Sequence, residues 1–279
     1  MIHGGLSDLF DLLRVQRERG DTHIGGHVGG GRSRVYGGQF LGQGLMAALD
    51  DTDGAAARSL QSLYLRPGST DVPLRYTATS MADDFIAVSA FQDEQAQRCL
   101  FSMDVRLGEP ACAPAIPMPE VPPPQACVSR EEGIGNLERN TDSTWAVLDS
   151  PFDYRFVENI WAEDFRAPAH HVWFRARDLD GEPCSEPQSL QQAALAYFSD
   201  DNIMDNALFP HGWHNCWSNL QTASLDHSVW FHADIDLGSW LLFAQDSPVA
   251  AHGRGMTRGL FYRPDGVLVA TAYQEILMR

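Results

Sequence analysis

The chain has 279 residues, 44% hydrophobic and 20% charged, a globular composition with length for one large core or two smaller ones, and two domains are the expectation. A formal net charge of −17 excludes the basic footprint of a nucleic-acid binder and opposes an anionic membrane surface, so neither partner is expected. No apolar run is long enough to span a bilayer, and the opening Met1-Ile2-His3-Gly4-Gly5 lacks the basic and apolar regions of a secretory signal, which makes a cytoplasmic location the expectation.

In chain order, Gly38 to Asp50 places Leu41, Leu45, Ala48 and Leu49 on one helical face, and the segments after it change to a period of two. Val72, Leu74 and Tyr76 alternate, Phe85 to Phe91 is almost wholly apolar, and Cys99, Phe101, Met103, Val105 and Leu107 share one face, the pattern of an antiparallel meander. From Glu109 to Pro124 repeated prolines remove N–H donors and fix φ, which forbids a helix interior or central strand and marks a linker. Beyond it the order recurs, with strands at Tyr154 to Val157 and His171 to Ala176 and a helix from about Glu186. Ser185 and Gln188 have capping-box spacing, Pro187 suits a first turn, and Leu190, Ala193, Ala194, Tyr197 and Phe198 form an apolar stripe. Thr222 to His232 reads as a strand, Trp240 to Ala244 as an apolar run, and Arg258 to Tyr262 meets Val267 to Ile276 across Pro264-Asp265-Gly266. A sheet wrapped on one helix is implied twice, an α+β organisation with residues 1–108 and 150–279 as repeats and 109–149 as the Pro-rich connection.

Chemistry concentrates in the second repeat. Continuing the stripe from Leu190 to Tyr197 by three or four residues reaches Asp200 and Asp201, so either a carboxylate faces the core or the helix stops near Ser199 and both acids face solvent. Gln274 interrupts the apolar row Leu268, Ala270, Ala272 and Ile276, and a buried amide there would need partners such as a water or a carboxylate. Strict alternation along Thr222 to His232 sets Ser224 and Asp226 on one face and His227 on the other. Asp226 therefore cannot orient His227 in a Ser-His-Asp triad, and no G-x-S-x-G elbow occurs. His211-Gly212-Trp213-His214 and the run Gly25 to Gly31 read as loops without metal-binding or phosphate-binding context. Cys99, Cys112, Cys127, Cys184 and Cys216 form no C-x-x-C pair and read as reduced thiols, so no metal site is expected.

Several ordered blocks carry a family resemblance: Arg34-Val35-Tyr36-Gly37-Gly38-Gln39 with Gly42-Gln43, Tyr64-Leu65-Arg66-Pro67-Gly68, Leu225-Asp226-His227-Ser228-Val229-Trp230-Phe231-His232, and a C-terminal series from Arg254-Gly255 to Gln274-Glu275. The chain resembles the acyl-CoA thioesterase II (TesB-like) family, and the resemblance implies a double hot-dog fold, no cofactor, an acyl-CoA or other acyl-thioester substrate and a homo-oligomer. It also implies that Asp200, Ser224 and Gln274 position an attacking water, since Tyr197-Phe198-Ser199-Asp200 matches the family's helix motif, Ser224 precedes Leu225-Asp226-His227, and Gln274 precedes Glu275. Gly37 and Gly38, at the start of the first helix, are oxyanion candidates through their backbone N–H groups; the alternative is that they only permit close packing. Asp83-Asp84-Phe85 stands where the family commonly has a basic pattern, which implies a weaker or different grip on anionic CoA, or another carrier. Two other readings stay open on this fold: a silent acyl-ligand binding protein and a hydratase or dehydratase, the latter needing a His–acid pair that the sequence does not place.

Overall fold

In the computed structural model, which describes residues 4–27, 34–93, 95–109, 115–135, 150–162, 164–212 and 220–279, every strand joins one antiparallel sheet of 14 strands. The first half supplies α1 (Leu6–Leu13), β1 (Val15–Arg19), β2 (Thr22–Gly25), α2 (Gly37–Leu49), β3 (Ala57–Tyr64), β4 (Arg75–Ala82), β5 (Phe85–Phe91) and β6 (Phe101–Leu107). The second supplies β7 (Val128–Ser129), α3 (Arg130–Gly135), β8 (Phe152–Phe156), β9 (Ala169–Ala176), α4 (Gln188–Ser199), α5 (Asp205–Leu208), β10 (Thr222–Ser224), β11 (Asp226–Phe231), β12 (Leu241–Ala251), β13 (Arg254–Tyr262) and β14 (Leu268–Met278).

The halves meet where β3 pairs with β11, Leu60 opposite Val229. Read outward from that seam, one side runs β3, β6, β5, β4, β2 and the other β11, β14, β13, β12, β9. Chain order converts each member of the first series into the corresponding member of the second, so the halves share a topology despite their different sequences. This is the double hot-dog arrangement, with α2 and α4 as the two wrapped helices.

Both helices are buried nearly all round, more than the one-sided stripes of the sequence require, because each lies between its own sheet and the other helix. Their polar residues therefore need internal partners. The Gln43 amide donates to the carbonyls of Leu12 (2.6 Å) and Gly26 (2.8 Å) and accepts from the Tyr76 hydroxyl (3.0 Å). Gln192 brackets the backbone of Ala57, accepting from its N–H and donating to its carbonyl. The expected capping box is not formed. Pro187 occupies the N-cap position without a side-chain cap, and Gln188 instead makes a two-way bond with the backbone of Ile235. The longer-range partner prevails because the helix start is pinned to the loop after β11.

Phe198 of α4 stacks on Phe174 of β9 at 3.7 Å between ring centroids, and Phe243 stacks on Phe261 at 4.0 Å. The proline-rich segment from residue 115 onward lies on the outer face of the second half, where Met118, Val121 and Cys127 pack on Trp173, Leu242 and Tyr262. Trp173 Nε1 donates to the Pro122 carbonyl at 2.9 Å. No helix among the described residues is long and apolar enough to cross a membrane.

The α2–α4 contact is set by glycine. A Cβ on Gly38 would lie 2.1 Å from the Tyr197 carbonyl oxygen, and one on Gly42 would lie 2.9 Å from that of Ala193. The two glycines are one turn apart and face carbonyls one turn apart on an antiparallel helix, so the backbones touch directly. We expect Gly42→Ala to cost roughly 1–3 kcal/mol through overpacking, and Gly38→Ala at least as much. Thermal unfolding of the two variants checks this, and unchanged melting temperatures would contradict the close contact.

Candidate active site

α4 ends at Ser199, and Asp200 is its C-cap. Both alternatives drawn from the stripe are thus incomplete: the helix stops where the solvent-facing reading has it, yet Asp200 and Asp201 are 6% and 9% exposed. The α2 N-terminus abuts the end of α4 and covers Asp200, and Asp201 is enclosed on the Tyr154 side. Gly38 N–H donates to Asp200 Oδ2 at 3.0 Å. Asp200 Oδ1 accepts from Ser224 Oγ at 3.0 Å and from Gln274 Nε2 at 2.9 Å, and Gln274 Nε2 also donates to Ser224 Oγ. The three residues singled out in the sequence meet at one carboxylate.

Ser224 reaches this point through a register shift. β10 pairs Ser224 with Ile276, whereas β11 pairs Ser228 with Tyr273, so one extra residue is accommodated at Leu225–Asp226. A bulge of this kind re-aims side chains. Ser224 and His227, three residues apart, would face opposite ways in a regular strand; here both turn inward, which corrects the alternation read from sequence. Asp226 Oδ1 accepts the Glu275 N–H at 2.7 Å, filling the gap in the ladder. Asp226 is thereby committed to backbone and makes no triad with His227.

Burial pushes the Asp200 carboxyl up from 3.8 to about 7, against the pull of Ser224, Gln274 and the Gly38 N–H and with a further push from the neighbouring charge of Asp201. Tyr36 and Tyr64 border the same carboxylate. Burial, and then the charge of Asp200, raises both phenols well above their ordinary value, so they stay neutral. Tyr64 donates to the Gly37 carbonyl at 3.1 Å and Tyr36 to the Tyr197 carbonyl at 3.0 Å, tying the α2 start to β3 and α4. Tyr36, Gly37, Tyr64 and Ser224 retain partial exposure and form the approach to the carboxylate. Gly38 N–H is already engaged by Asp200, whereas the N–H of Gly37, also in the first turn, makes no intrahelical bond.

Asp201 points away into a second polar pocket, where the Tyr154 hydroxyl donates to Oδ2 at 2.6 Å and Arg130 lies over the Tyr154 ring at 5.2 Å. Asp205 is also buried, and desolvation followed by the charge of Asp201 raises it to about 8. Sequence reasoning missed Asp205, which opens the short α5, and it grouped Ser224 with the outward-facing Asp226, whereas His227 shares the buried face of Val229 and Phe231. His227 is fully buried, its Nε2 2.8 Å from Ser199 Oγ, and desolvation lowers it to about 3.

The pseudo-equivalent of Asp200 is Asp50, the C-cap of α2. Asp50 is 39% exposed on its side chain, ion-paired to Arg17 at 2.6 Å and 3.0 Å from His23 Nε2, and its carboxyl is held low chiefly by the Arg17 hydrogen bond. Only one of the two helix ends therefore carries a carboxyl tuned near neutrality.

Among the described residues no group of three His, Cys, Asp or Glu could hold a metal ion; His214, Cys112, Cys216 and residues 28–31 lie outside them. An open depression of about 430 Å³, lined by Asp226, Arg254, Met256 and Glu275 among others, lies on the outer face of the sheet, away from the inward-pointing Asp200 cluster.

Fold and site together define a double hot-dog protein with a buried carboxylate, Asp200, held where the α2 start, the α4 end and the β10–β14 pair meet. Residues 153–277 match the family model described as acyl-CoA thioesterase. Relatives extend over both halves: the "Acyl-CoA thioesterase 2" of Haemophilus influenzae is 28% identical over 98% of this chain and 98% of its own. The mouse (Mus musculus) "Acyl-coenzyme A thioesterase 8" is 29% identical over 88% of this chain and 80% of its own. The structure of an acyl-CoA thioesterase II from Mycobacterium marinum superposes with a TM-score of 0.75 at 28% identity, covering 96% of this chain and 97% of that one. Over both halves the chain is thus similar to acyl-CoA thioesterases, those of the thioesterase II (TesB-like) kind among them.

Carbon-13 NMR of labelled aspartate carboxyls should show Asp200 titrating near pH 7. Asp201→Asn removes the adjacent like charge and should move that midpoint to lower pH; a midpoint near the ordinary value of about 3.9 would contradict the buried site.

Proposed function

We propose that the chain is an acyl-CoA thioesterase in which Asp200 acts as general base on a water that attacks the thioester directly. The observation that carries this reading is the environment of Asp200: buried, held at Oδ1 by two neutral side-chain donors and at Oδ2 by a helix N-terminus, with a pKa raised to about 7. A base tuned near the operating pH combines a useful ionised fraction with real proton affinity. The match of residues 153–277 to the acyl-CoA thioesterase model and the thioesterase names of the relatives support the substrate class.

In this mechanism the water oxygen bonds to the carbonyl carbon as its proton passes to Asp200, with Ser224 and Gln274 fixing its direction. The carbonyl π electrons move to oxygen. That oxyanion lies at the α2 N-terminus, where the Gly37 N–H is a donor and the dipole favours negative charge. Protonation weakens the claim of Asp200 on the Gly38 N–H, which frees a second donor as the oxyanion develops. Collapse re-forms the carbonyl, breaks the C–S bond and returns the proton from Asp200 to the departing thiolate, giving acid and thiol without a covalent enzyme intermediate.

Acyl-CoA substrates of varied chain length, assayed for free thiol, test the reading. Asp200→Asn should lower kcat about 10²–10⁴-fold, Ser224→Ala and Gln274→Ala less, and either combined with Asp200→Asn should be less than additive. A parent protein that releases no thiol from any of them would favour the silent binding role.

Self-association belongs to the same proposal, since Leu63, Met81, Val249 and Met256 are exposed on strands, apolar surface that a second copy of this chain would cover. Light scattering should show a species larger than 30.9 kDa; a monomer across a wide concentration range would reject it.

A further inference from the structure

Gln274 is useful to Asp200 only in one orientation. With Nε2 toward the carboxylate it donates twice, to Asp200 Oδ1 and to Ser224 Oγ; turned over, it would present Oε1 to the carboxylate and repel it. Nothing about Asp200 and Ser224 alone prevents that flip when a neutral, protonated Asp200 forms during turnover. What fixes the other end of the amide is therefore a functional question.

The sheet answers it. Extending the β11–β14 register of Ser228 opposite Tyr273 by one residue sets His227 opposite Gln274, the spacing at which cross-strand side chains meet. His227 Nδ1 and Gln274 Oε1 are both buried, and neither has a hydrogen-bond partner. Gln274 is also the group that favours the protonated ring of His227 against desolvation. On the far side of the ring, Ser199 Oγ lies 2.8 Å from Nε2 and 2.8 Å from the Ala196 carbonyl.

One hydroxyl proton on Ser199 admits two arrangements. If it goes to Ala196, Nε2 carries the imidazole proton, and Nδ1 and Oε1 are left as two acceptors without a donor between them. If it goes to Nε2, Nδ1 carries the proton and points at Oε1. Only the second offers both Nδ1 and Oε1 a partner, in exchange for the Ser199 bond to a helix carbonyl, and a buried acceptor left without a donor costs about 1–3 kcal/mol.

We propose that His227 is a positioning residue: held by Ser199 as the neutral Nδ1–H tautomer, it donates to Gln274 Oε1 and locks the amide with Nε2 toward Asp200 and Ser224. The chain of bonds runs from Ser199, at the end of α4, through His227 and Gln274 back to Asp200, the next residue along that helix. It closes a loop between one helix end and two strands. The inference rests on the thioesterase reading for its catalytic meaning, but its geometry does not.

Two measurements keep these apart. Nitrogen-15 NMR of histidine-labelled parent protein should show His227 neutral and protonated at Nδ1 throughout about pH 5–8, where an ordinary imidazole titrates; an Nε2–H tautomer overturns the proposal whether or not any variant folds. In folded His227→Leu, the Asp200 carboxyl should titrate at higher pH than in the parent, because a freed amide no longer favours the charged form. The other groups facing Asp200, namely Asp201, Tyr36, Tyr64, Ser224 and the Gly38 N–H, are unchanged in that variant. An unmoved titration overturns the proposal even if the parent proves inactive on thioesters.

With an active parent, His227→Leu should lower kcat by about 10- to 100-fold, the scale of a misplaced catalytic group, with KM little changed and the acid limb of the pH–rate profile moved upward. His227→Asn, whose amide N–H can stand near the Nδ1 position, should recover most of the rate. In a Gln274→Ala background the same His227→Leu change should cost little more. Equal losses in both backgrounds, or an Asn variant no better than Leu, would show that His227 serves stability alone.

Discussion

Two helices that touch backbone to backbone govern the rest of the molecule. Gly38 and Gly42 on α2 face the Tyr197 and Ala193 carbonyls on α4 at distances that leave no room for a Cβ, and that approach brings the first turn of α2 onto the last residue of α4. Asp200 sits at the C-terminal end of its own helix, where a negative charge is disfavoured, and at the N-terminal end of the other, where it is favoured. The Gly38 N–H delivers the second effect as a 3.0 Å bond. Separate the helices and Asp200 becomes an ordinary exposed C-cap acid; hold them together and it becomes a buried carboxyl balanced near neutrality.

The fold offers that arrangement twice, and the chain uses it once. At the other crossing, Asp50 follows α2 as Asp200 follows α4, but β1 and β2 place Arg17 and His23 against it and leave it part exposed. A carboxylate so paired is a permanent anion with little tendency to take a proton. The division of labour between the halves is thus a difference in desolvation and in the sign of the neighbours, on one shared topology.

Around the site, the interior holds many polar side chains, most of them bonded to backbone or to one another. Gln43, Gln191, Gln192 and Gln188 each bind backbone that the sheet leaves unpaired. Asn206 links His170 to Gln245, donating to the Gln245 side chain. Such networks rigidify a core when every member is satisfied. The charge of Asp201 adds to desolvation in raising the proton affinity of both Asp200 and Asp205.

Helix and strand positions, the proline break and the two-fold recurrence were legible because periodicity of apolar residues records which face each element buries. Asp200 and Gln274 were legible too, as polar residues interrupting apolar rows, and the family blocks around them marked Ser224. What periodicity could not express was anything depending on partners distant in sequence. The burial of Asp200 beyond its helix's last turn comes from α2, 162 residues away in the chain, and Gln188 abandoned its local cap for Ile235, 47 residues on. The face of Ser224 depended on a bulge at Leu225–Asp226, which no local alternation shows because the extra residue is accommodated only when β14 is paired beside it. A strand's residues determine its two faces; which face each residue finally takes, and what it meets there, is decided by the register of the neighbouring strand and the approach of the opposing helix.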